Sequence, residues 1–134
     1  MKKLSASFIV LTFLFSCGKK IKTELSNSQD FSNFISAHTA GSVSTNSTIQ
    51  IKLTESVESF IDISKPIEAN YFVFSPSVEG NIKWLDNRTI EFIPKERLAQ
   101  GTNYVVNFKL NNLREVPRDL ETYVFQFQTI SQSY

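Results

Sequence analysis

The stretch Asn103-Tyr104-Val105-Val106-Asn107-Phe108-Lys109-Leu110 places a large apolar side chain at every second position. Polar residues or a valine separate the members of this apolar row, which are Tyr104, Val106, Phe108 and Leu110. Successive side chains of a β-strand point to opposite faces of a sheet, so a period of two predicts a strand with one buried and one wet face. The fold of this chain must therefore bury that row.

The same alternation occurs elsewhere between residues 34 and 134. It is found around Ile49–Leu53, Ile82–Trp84, Ile90–Phe92 and Tyr123–Phe127. A further stretch, Tyr71-Phe72-Val73-Phe74, is apolar on both faces, which is typical of a strand covered on both sides. With 12 Phe, 4 Tyr and 1 Trp, the composition also favours sheet.

Turn signals separate these strands. Asp86-Asn87 predicts a tight hairpin, because both residues tolerate a positive φ. Pro76 and Pro94 should end strands, since proline cannot donate to a ladder. Lys95–Gln100 predicts one helical turn, closed by Gly101. About seven short strands without a long helix predict an all-β protein, an antiparallel β-sandwich of immunoglobulin-like type.

The N-terminus predicts export and lipid attachment. Lys2 and Lys3 precede an apolar run that ends at Phe15, and this run is too short to span a membrane as a helix. Leu14-Phe15-Ser16-Cys17 resembles a bacterial lipobox, which implies cleavage after residue 16 and acylation of Cys17. The alternative is a plain secretory signal with an incidental cysteine.

These signals divide the chain into three parts. Residues 1–16 are the expected signal peptide, 17–33 the lipidated cysteine with a flexible polar tether, and 34–134 the sandwich domain. Cys17 is the only cysteine, so no disulfide can form within the chain. The net charge of +1 provides no basic field for nucleic acid.

Little in the sequence indicates catalysis. His38 is the only histidine, and beside Thr39 it is expected to be a hydrogen bonder at a strand end. No paired spacing appears among the carboxylates, which include Asp62, Glu68, Glu79, Asp86, Glu91 and Glu96. We therefore expect no enzyme activity, catalytic residue, metal, cofactor or small-molecule substrate. Trp84 is in phase with Ile82 and is expected in the core rather than at a sugar site.

Two loops and one surface strip are candidate binding features. The loops are residues 78–80 and 111–117, which carry charge and lack a strand pattern. Ile93, Val105 and Val124 fall on predicted outer faces and could form an apolar strip for a neighbouring domain; scattered surface apolar residues are the alternative.

Several segments resemble a bacterial Ig-like module. They are Phe74-Ser75-Pro76, Gly80-Asn81-Ile82-Lys83-Trp84, Phe92-Ile93-Pro94 and Leu98-Ala99-Gln100-Gly101-Thr102-Asn103-Tyr104. More narrowly, Ser36-Ala37-His38-Thr39-Ala40-Gly41 resembles the N-terminal region of alpha-2-macroglobulin-like lipoproteins of Bacteroidetes-type bacteria. That resemblance implies a role in trapping or inhibiting proteases at the cell envelope. Members of that family are much longer, and Cys17-Gly18-Lys19-Lys20 is not their Cys-Gly-Glu-Gln thioester motif.

The expected function is therefore a membrane-anchored, non-enzymatic Ig-like domain in the bacterial cell envelope. It would be the N-terminal structural or docking module of a macroglobulin-like protease inhibitor, with an envelope protein or protease-related partner. The alternative is a stand-alone lipoprotein that binds a glycan or a protein through its loops.

Overall fold

The computed structural model describes residues 21–133, so the predicted signal peptide, Cys17 and the start of the predicted tether lie outside the described residues. Within this range the chain forms two four-stranded sheets. The strands are β1 (Ile35–His38), β2 (Ser42–Val43), β3 (Ile49–Leu53), β4 (Phe72–Ser75), β5 (Gly80–Trp84), β6 (Thr89–Pro94), β7 (Asn103–Lys109) and β8 (Thr122–Thr129). Three single-turn 3-10 helices lie in loops, at Val57–Ser59, Leu110–Asn112 and Arg118–Leu120.

The strand order confirms the predicted immunoglobulin-like sandwich. The first sheet has the order β1-β3-β6-β5 and the second β2-β8-β7-β4. When β1 and β3 to β8 are lettered A to G, the sheets read A-B-E-D and G-F-C, as in immunoglobulin constant domains. The predicted sandwich was antiparallel throughout. The structure differs at one place, where the short strand β2 pairs with β8 in parallel.

The pairing of β7 with β8 shows how alternation sets the register. Tyr104 lies opposite Phe127, Val106 opposite Phe125, and Phe108 opposite Tyr123. All six side chains are buried. A shift of one residue would turn one of these rows to the outer face, so the hydrophobic pattern specifies this register.

Aromatic contacts join the two sheets. The ring of Phe92 in the first sheet lies 4.6 Å from that of Phe74 and 5.7 Å from that of Phe72, centroid to centroid, in the second. Within the second sheet, Phe72 also contacts Phe108 at 5.2 Å. Each such pair adds about 0.5–1.5 kcal/mol beyond the burial of its area. Residues 21–133 contain no cysteine, so packing takes the place of the inter-sheet disulfide of antibody domains.

Gly80 permits this packing at the edge of the first sheet. A Cβ atom at this position would lie 2.2 Å from the carbonyl oxygen of Ile93 and 2.6 Å from the ring of Phe92. Any larger residue would therefore push β5 away from β6. Trp84 and Ile82, further along β5, are half-buried and pack against the core, as predicted.

Two predicted turns differ in detail. The hairpin between β5 and β6 exists, but no non-glycine residue of the described chain has a positive φ. Asp86 closes the turn instead, since its carboxylate accepts hydrogen bonds from the Arg88 amide at 2.8 Å and the Thr89 hydroxyl at 3.1 Å.

The prediction of a helical turn at Lys95–Gln100 is wrong. This segment is an irregular loop, because Leu98 is drawn into the core instead.

Tyr104 ties the same loop to the start of β7. Its hydroxyl oxygen accepts a hydrogen bond from the backbone amide of Ala99 at 2.9 Å. Between these residues Gly101 reverses the chain at a φ of +56°, the left-handed conformation that glycine adopts without strain. A tyrosine at the start of strand F that binds backbone a few residues upstream is the tyrosine corner of immunoglobulin-like domains.

Tyr104→Phe should lower the free energy of unfolding by about 1–2 kcal/mol, because the Ala99 amide loses its acceptor. Urea denaturation of the soluble domain measures this change. Tyr71→Phe is the matched control, since Tyr71 is also buried but its hydroxyl makes no hydrogen bond within residues 21–133. Equal losses in the two variants would contradict the role of the corner.

Candidate functional site

The two candidate loops lie at opposite ends of the sandwich. Residues 78–80 lead from β4 into β5, which begins at Gly80. Val78 and Glu79, with the loop after β6, border a pocket of about 240 Å³. Residues 111–117 follow β7 and lie at the other end, together with the long connection from β3 to β4. The structure therefore does not bring the two loops together, and each end must be considered as a separate surface.

Arg114 organises the surface at the second end. Its guanidinium carbon lies 5.3 Å from the ring centroid of Phe34 and 5.2 Å from that of Phe60, and Nη1 donates to the Glu55 carboxylate at 2.9 Å. A groove of about 600 Å³ runs beside Phe60 and Arg114. We call this surface the Arg114 shelf, and it consists of Phe34, Phe60, Arg114, Val116 and Pro117.

The Arg114 shelf has the composition of a protein-binding surface. Arginine and aromatic residues dominate binding hot spots, and Phe60 remains 37% exposed although it is large and apolar. Arg114 lies within the loop 111–117 predicted from the sequence, whereas Phe60 was not among the predicted residues. An aromatic residue in the polar, non-periodic stretch after β3 was the signal that could have found it.

His38 has a structural position. It is the last residue of β1, and its Nδ1 donates to the backbone carbonyl of Thr39 at 2.8 Å. Its ring also contacts Tyr123 and Phe125 of the opposite sheet at 5.4 and 4.7 Å. His38 thus joins the two sheets and is a hydrogen bonder at a strand end, as its sequence position predicted.

Glu91 is a buried carboxylate on the outer face of the first sheet. One of its oxygens accepts hydrogen bonds from the Thr48 hydroxyl at 2.7 Å and the Gln50 amide at 3.0 Å, and Lys83 lies 3.5 Å from the other. Burial alone would raise the pKa of Glu91, but these three partners together lower it below its ordinary value. A carboxyl group that stays ionised in this way is suited to support the sheet rather than to donate a proton.

No three His, Cys, Asp or Glu side chains group as metal ligands within residues 21–133. In the same range, no helix is long and apolar enough to cross a membrane.

Glu91→Gln should make stability less dependent on acid pH. The folded-state pKa of Glu91 is lowered, so its stabilisation is present above the unfolded value and is lost as the pH falls through the folded value. The variant should be less stable than the wild type at neutral pH, and its stability should fall less between about pH 5 and 3. Urea midpoints measured across this range test the prediction.

Glu58→Gln is the control for that series, because Glu58 is exposed in the helix Val57–Ser59. This variant should keep the wild-type urea midpoint at neutral pH, where Glu91→Gln lowers it. An unchanged pH profile for Glu91→Gln would contradict the assignment.

The segment before β1 attaches to the second sheet. The Lys22 amide donates to Oδ1 of Asn107 at 2.9 Å, and Nδ2 of Asn107 donates to the Lys22 carbonyl at 2.8 Å. Asn107 lies in the middle of β7 and is completely buried. Both backbone groups of Lys22 are therefore held by one side chain, on a face that the alternation pattern assigns to water.

Ser26 continues this attachment along β8. Its amide donates to the Val124 carbonyl at 2.9 Å, and its hydroxyl accepts from the Val124 amide at 2.8 Å. These bonds pair β8 along a part of its edge that β2 does not reach. Phe31, further along, is buried in the core. We call residues 22–34 the strap.

The strap changes the domain boundary and the expected surface. The prediction of a flexible tether at residues 17–33 is wrong from Lys22 onward. Asn107 binds the backbone of Lys22, and Val124 binds the backbone of Ser26, so the chain is folded well before residue 34. Val124 is buried beneath the strap, and Ile93 lies in the other sheet from Val105. The predicted apolar strip is therefore not a single exposed surface.

The strand order, the tyrosine corner and the loop ends define an immunoglobulin-like β-sandwich module. The sequence model of the bacterial Ig-like domain family matches residues 27–129. This match covers most of the chain, which therefore belongs to that family.

Solved structures share the fold. L,D-transpeptidase 3 from Mycobacterium tuberculosis, in complex with a faropenem-derived adduct, superposes with a TM-score of 0.52 at 10% identity, over 75% of this chain and 39% of that one. An L,D-transpeptidase from Mycobacterium tuberculosis H37Rv gives a TM-score of 0.51 at 10% identity, over 72% and 40%. This chain spans about two fifths of those proteins, and at 10% identity the likeness shows the fold alone. No curated protein sequence matches the chain.

Proposed function

We propose that this chain is a lipid-anchored Ig-like domain of the bacterial cell envelope that acts as a structural and docking module. The observation that carries the proposal is the sequence Leu14-Phe15-Ser16-Cys17 directly ahead of a folded Ig-like domain. Cleavage before Cys17 would place its thiol at the new N-terminus for acylation. Among residues 21–133, the backbone of Lys22 is already fixed to the domain, and Lys22 follows Cys17 by only five residues.

Membrane attachment follows from the energy of acyl burial. Each methylene group buried in the bilayer contributes about 0.8 kcal/mol, so one chain binds only marginally and two or more hold firmly. An acylated Cys17 with at least two chains would keep the domain at the membrane without a spanning helix. A plain secretory signal, the alternative, would release the domain.

The Arg114 shelf supports a docking role. Phe60 and Arg114 present an exposed aromatic ring and a cation beside an open groove, at the loop end of a rigid sandwich. The partner would be an envelope protein or the next domain of a larger protein. The segment Ser36–Gly41 supports the second form, in which the chain is the first domain of an alpha-2-macroglobulin-like protease inhibitor.

A stand-alone binding lipoprotein is the second candidate. The pocket at the end of the sandwich opposite the Arg114 shelf favours it. Glu79, Lys95 and Arg97 line this pocket with both negatively and positively charged groups that can hydrogen-bond. Such a cavity suits a polar ligand such as a glycan better than the aromatic shelf does. In either form we expect a binding module and not an enzyme.

A photo-crosslinking residue at Phe60 should give discrete protein adducts in cells, whereas the same residue at Lys95 should give few. The reason is that Phe60 lies on the aromatic shelf and Lys95 lies at the opposite end. Immunoblots of the two variants, expressed at equal levels, measure the difference. Adducts from Lys95 alone would favour the stand-alone alternative and count against the shelf.

Cys17→Ser should move the protein from the membrane fraction to the soluble fraction, because serine cannot receive the thioether-linked lipid. Fractionation of cells and immunoblotting measure the change. Ser16→Ala is the matched control, since it keeps a small residue before the cut and should leave the protein in the membrane. A Cys17→Ser protein that stays in the membrane fraction would refute lipid anchoring.

A further inference from the structure

The strap begins at one corner of the sandwich. Lys22 is fixed to Asn107 on β7, and Ile21 before it lies in a groove of about 450 Å³ near the end of β7. This groove is on the outer face of the second sheet, at the same end as the Arg114 shelf. We call it the Ile21 corner, and it consists of Ile21, Asn70, Lys109, Asn111 and Asn112.

The length of chain before the corner limits the distance to the lipid. Only four residue steps separate Cys17 from Ile21, and even a fully extended chain spans at most about 3.5 Å per residue, or about 14 Å in total. A strand as long as β8 spans roughly 25 Å. The corner therefore stays within about 14 Å of the acylated residue in every orientation of the domain, a limit that does not apply to the opposite end.

The chemistry around the corner suits a phospholipid surface. Ile21 and Leu25 are 39% and 46% exposed, so two of the large apolar side chains that the described chain exposes lie at its beginning. Lys109 and Glu121 line the groove of Ile21, and Lys22 lies beside Leu25 in the neighbouring groove, which Glu24, Asp30 and Asp119 also line. Lys19 and Lys20 add two further positive charges in the sequence just before it.

The lysines and the exposed apolar side chains each lower the free energy of contact with an anionic membrane. A lysine near an anionic surface contributes about 1 kcal/mol, and this attraction decays within a Debye length of about 8–10 Å. Exposed apolar side chains gain further stabilisation at the head-group boundary. The limit of about 14 Å keeps the corner near this range, whereas the connection does not hold the far end of the sandwich there.

We infer that the Ile21 corner rests on anionic phospholipid head groups of the leaflet that holds the lipid, so that the domain is oriented and does not tumble on its anchor. This inference depends on the lipidation of Cys17 proposed above. It places the Arg114 shelf at the membrane-proximal end and the pocket beside Lys95 at the distal end.

Two single-cysteine reporters test the orientation in the full-length lipidated protein. Asn111→Cys lies at the corner, and Lys52→Cys lies at the same end but on the outer face of the first sheet. Both positions are exposed, and the thiol of Cys17 is occupied by lipid, so each variant carries one reactive thiol. Each is labelled with a fluorophore and reconstituted into phosphatidylethanolamine and phosphatidylglycerol vesicles that contain head-group nitroxide lipids.

Quenching should be severalfold stronger for the label at Asn111→Cys than for the label at Lys52→Cys. Equal quenching of the two labels in vesicle-bound protein would overturn the orientation and leave lipid anchoring intact. Protein that fails to bind the vesicles would instead overturn the proposed anchoring, and the orientation with it.

A longer connection provides the matched control. Insertion of about 12 Gly and Ser residues between Lys20 and Ile21 lets the domain move about 20 Å from Cys17, because a flexible chain extends by about 5–6 Å times the square root of its length. The difference in quenching should then shrink. An unchanged difference would overturn the inference that the short connection orients the domain.

Discussion

The contact of Phe92 with Phe72 and Phe74 is the constraint on which the sandwich depends. These rings hold the first sheet against the second in a domain that has no cysteine among residues 21–133. Burial of one such side chain contributes about 1.5–3 kcal/mol, so a small set of rings can replace a disulfide. The requirement for glycine at position 80 follows from the same contact, because the ring of Phe92 occupies the space of a side chain there.

Strand alternation predicted the core well, since it identifies the side chains that are buried on folding. The rows of β7 and β8 pair as their sequences require, and Trp84 packs inward with Ile82. The strap could not be predicted in this way, because its contacts join residues 85 and 98 positions apart. The alternation pattern assigned Asn107 and Val124 to an outer face. They are buried because the strap covers them.

The candidate site was harder to predict than the fold. Loop composition identified residues 78–80 and 111–117, but only the strand order shows that they lie at opposite ends. Phe60 lies in a segment without periodicity, so its position beside Arg114 depends on the path of the whole connection from β3 to β4. The buried state of Glu91 likewise depends on Gln50 and Lys83, which strand pairing places on either side of it. A binding surface made by several loops is therefore visible only after the strands are in place.

The strap also determines how mechanical load would enter the domain from an anchored Cys17. Tension would first act on the two hydrogen bonds between Lys22 and Asn107, and then on the two between Ser26 and Val124. Release up to Phe31 would free about nine residues, or roughly 30 Å of chain. Tension would reach the aromatic core through Phe31 only after that length was used. The strap would thus act as an extensible buffer between membrane movement and the folded sandwich.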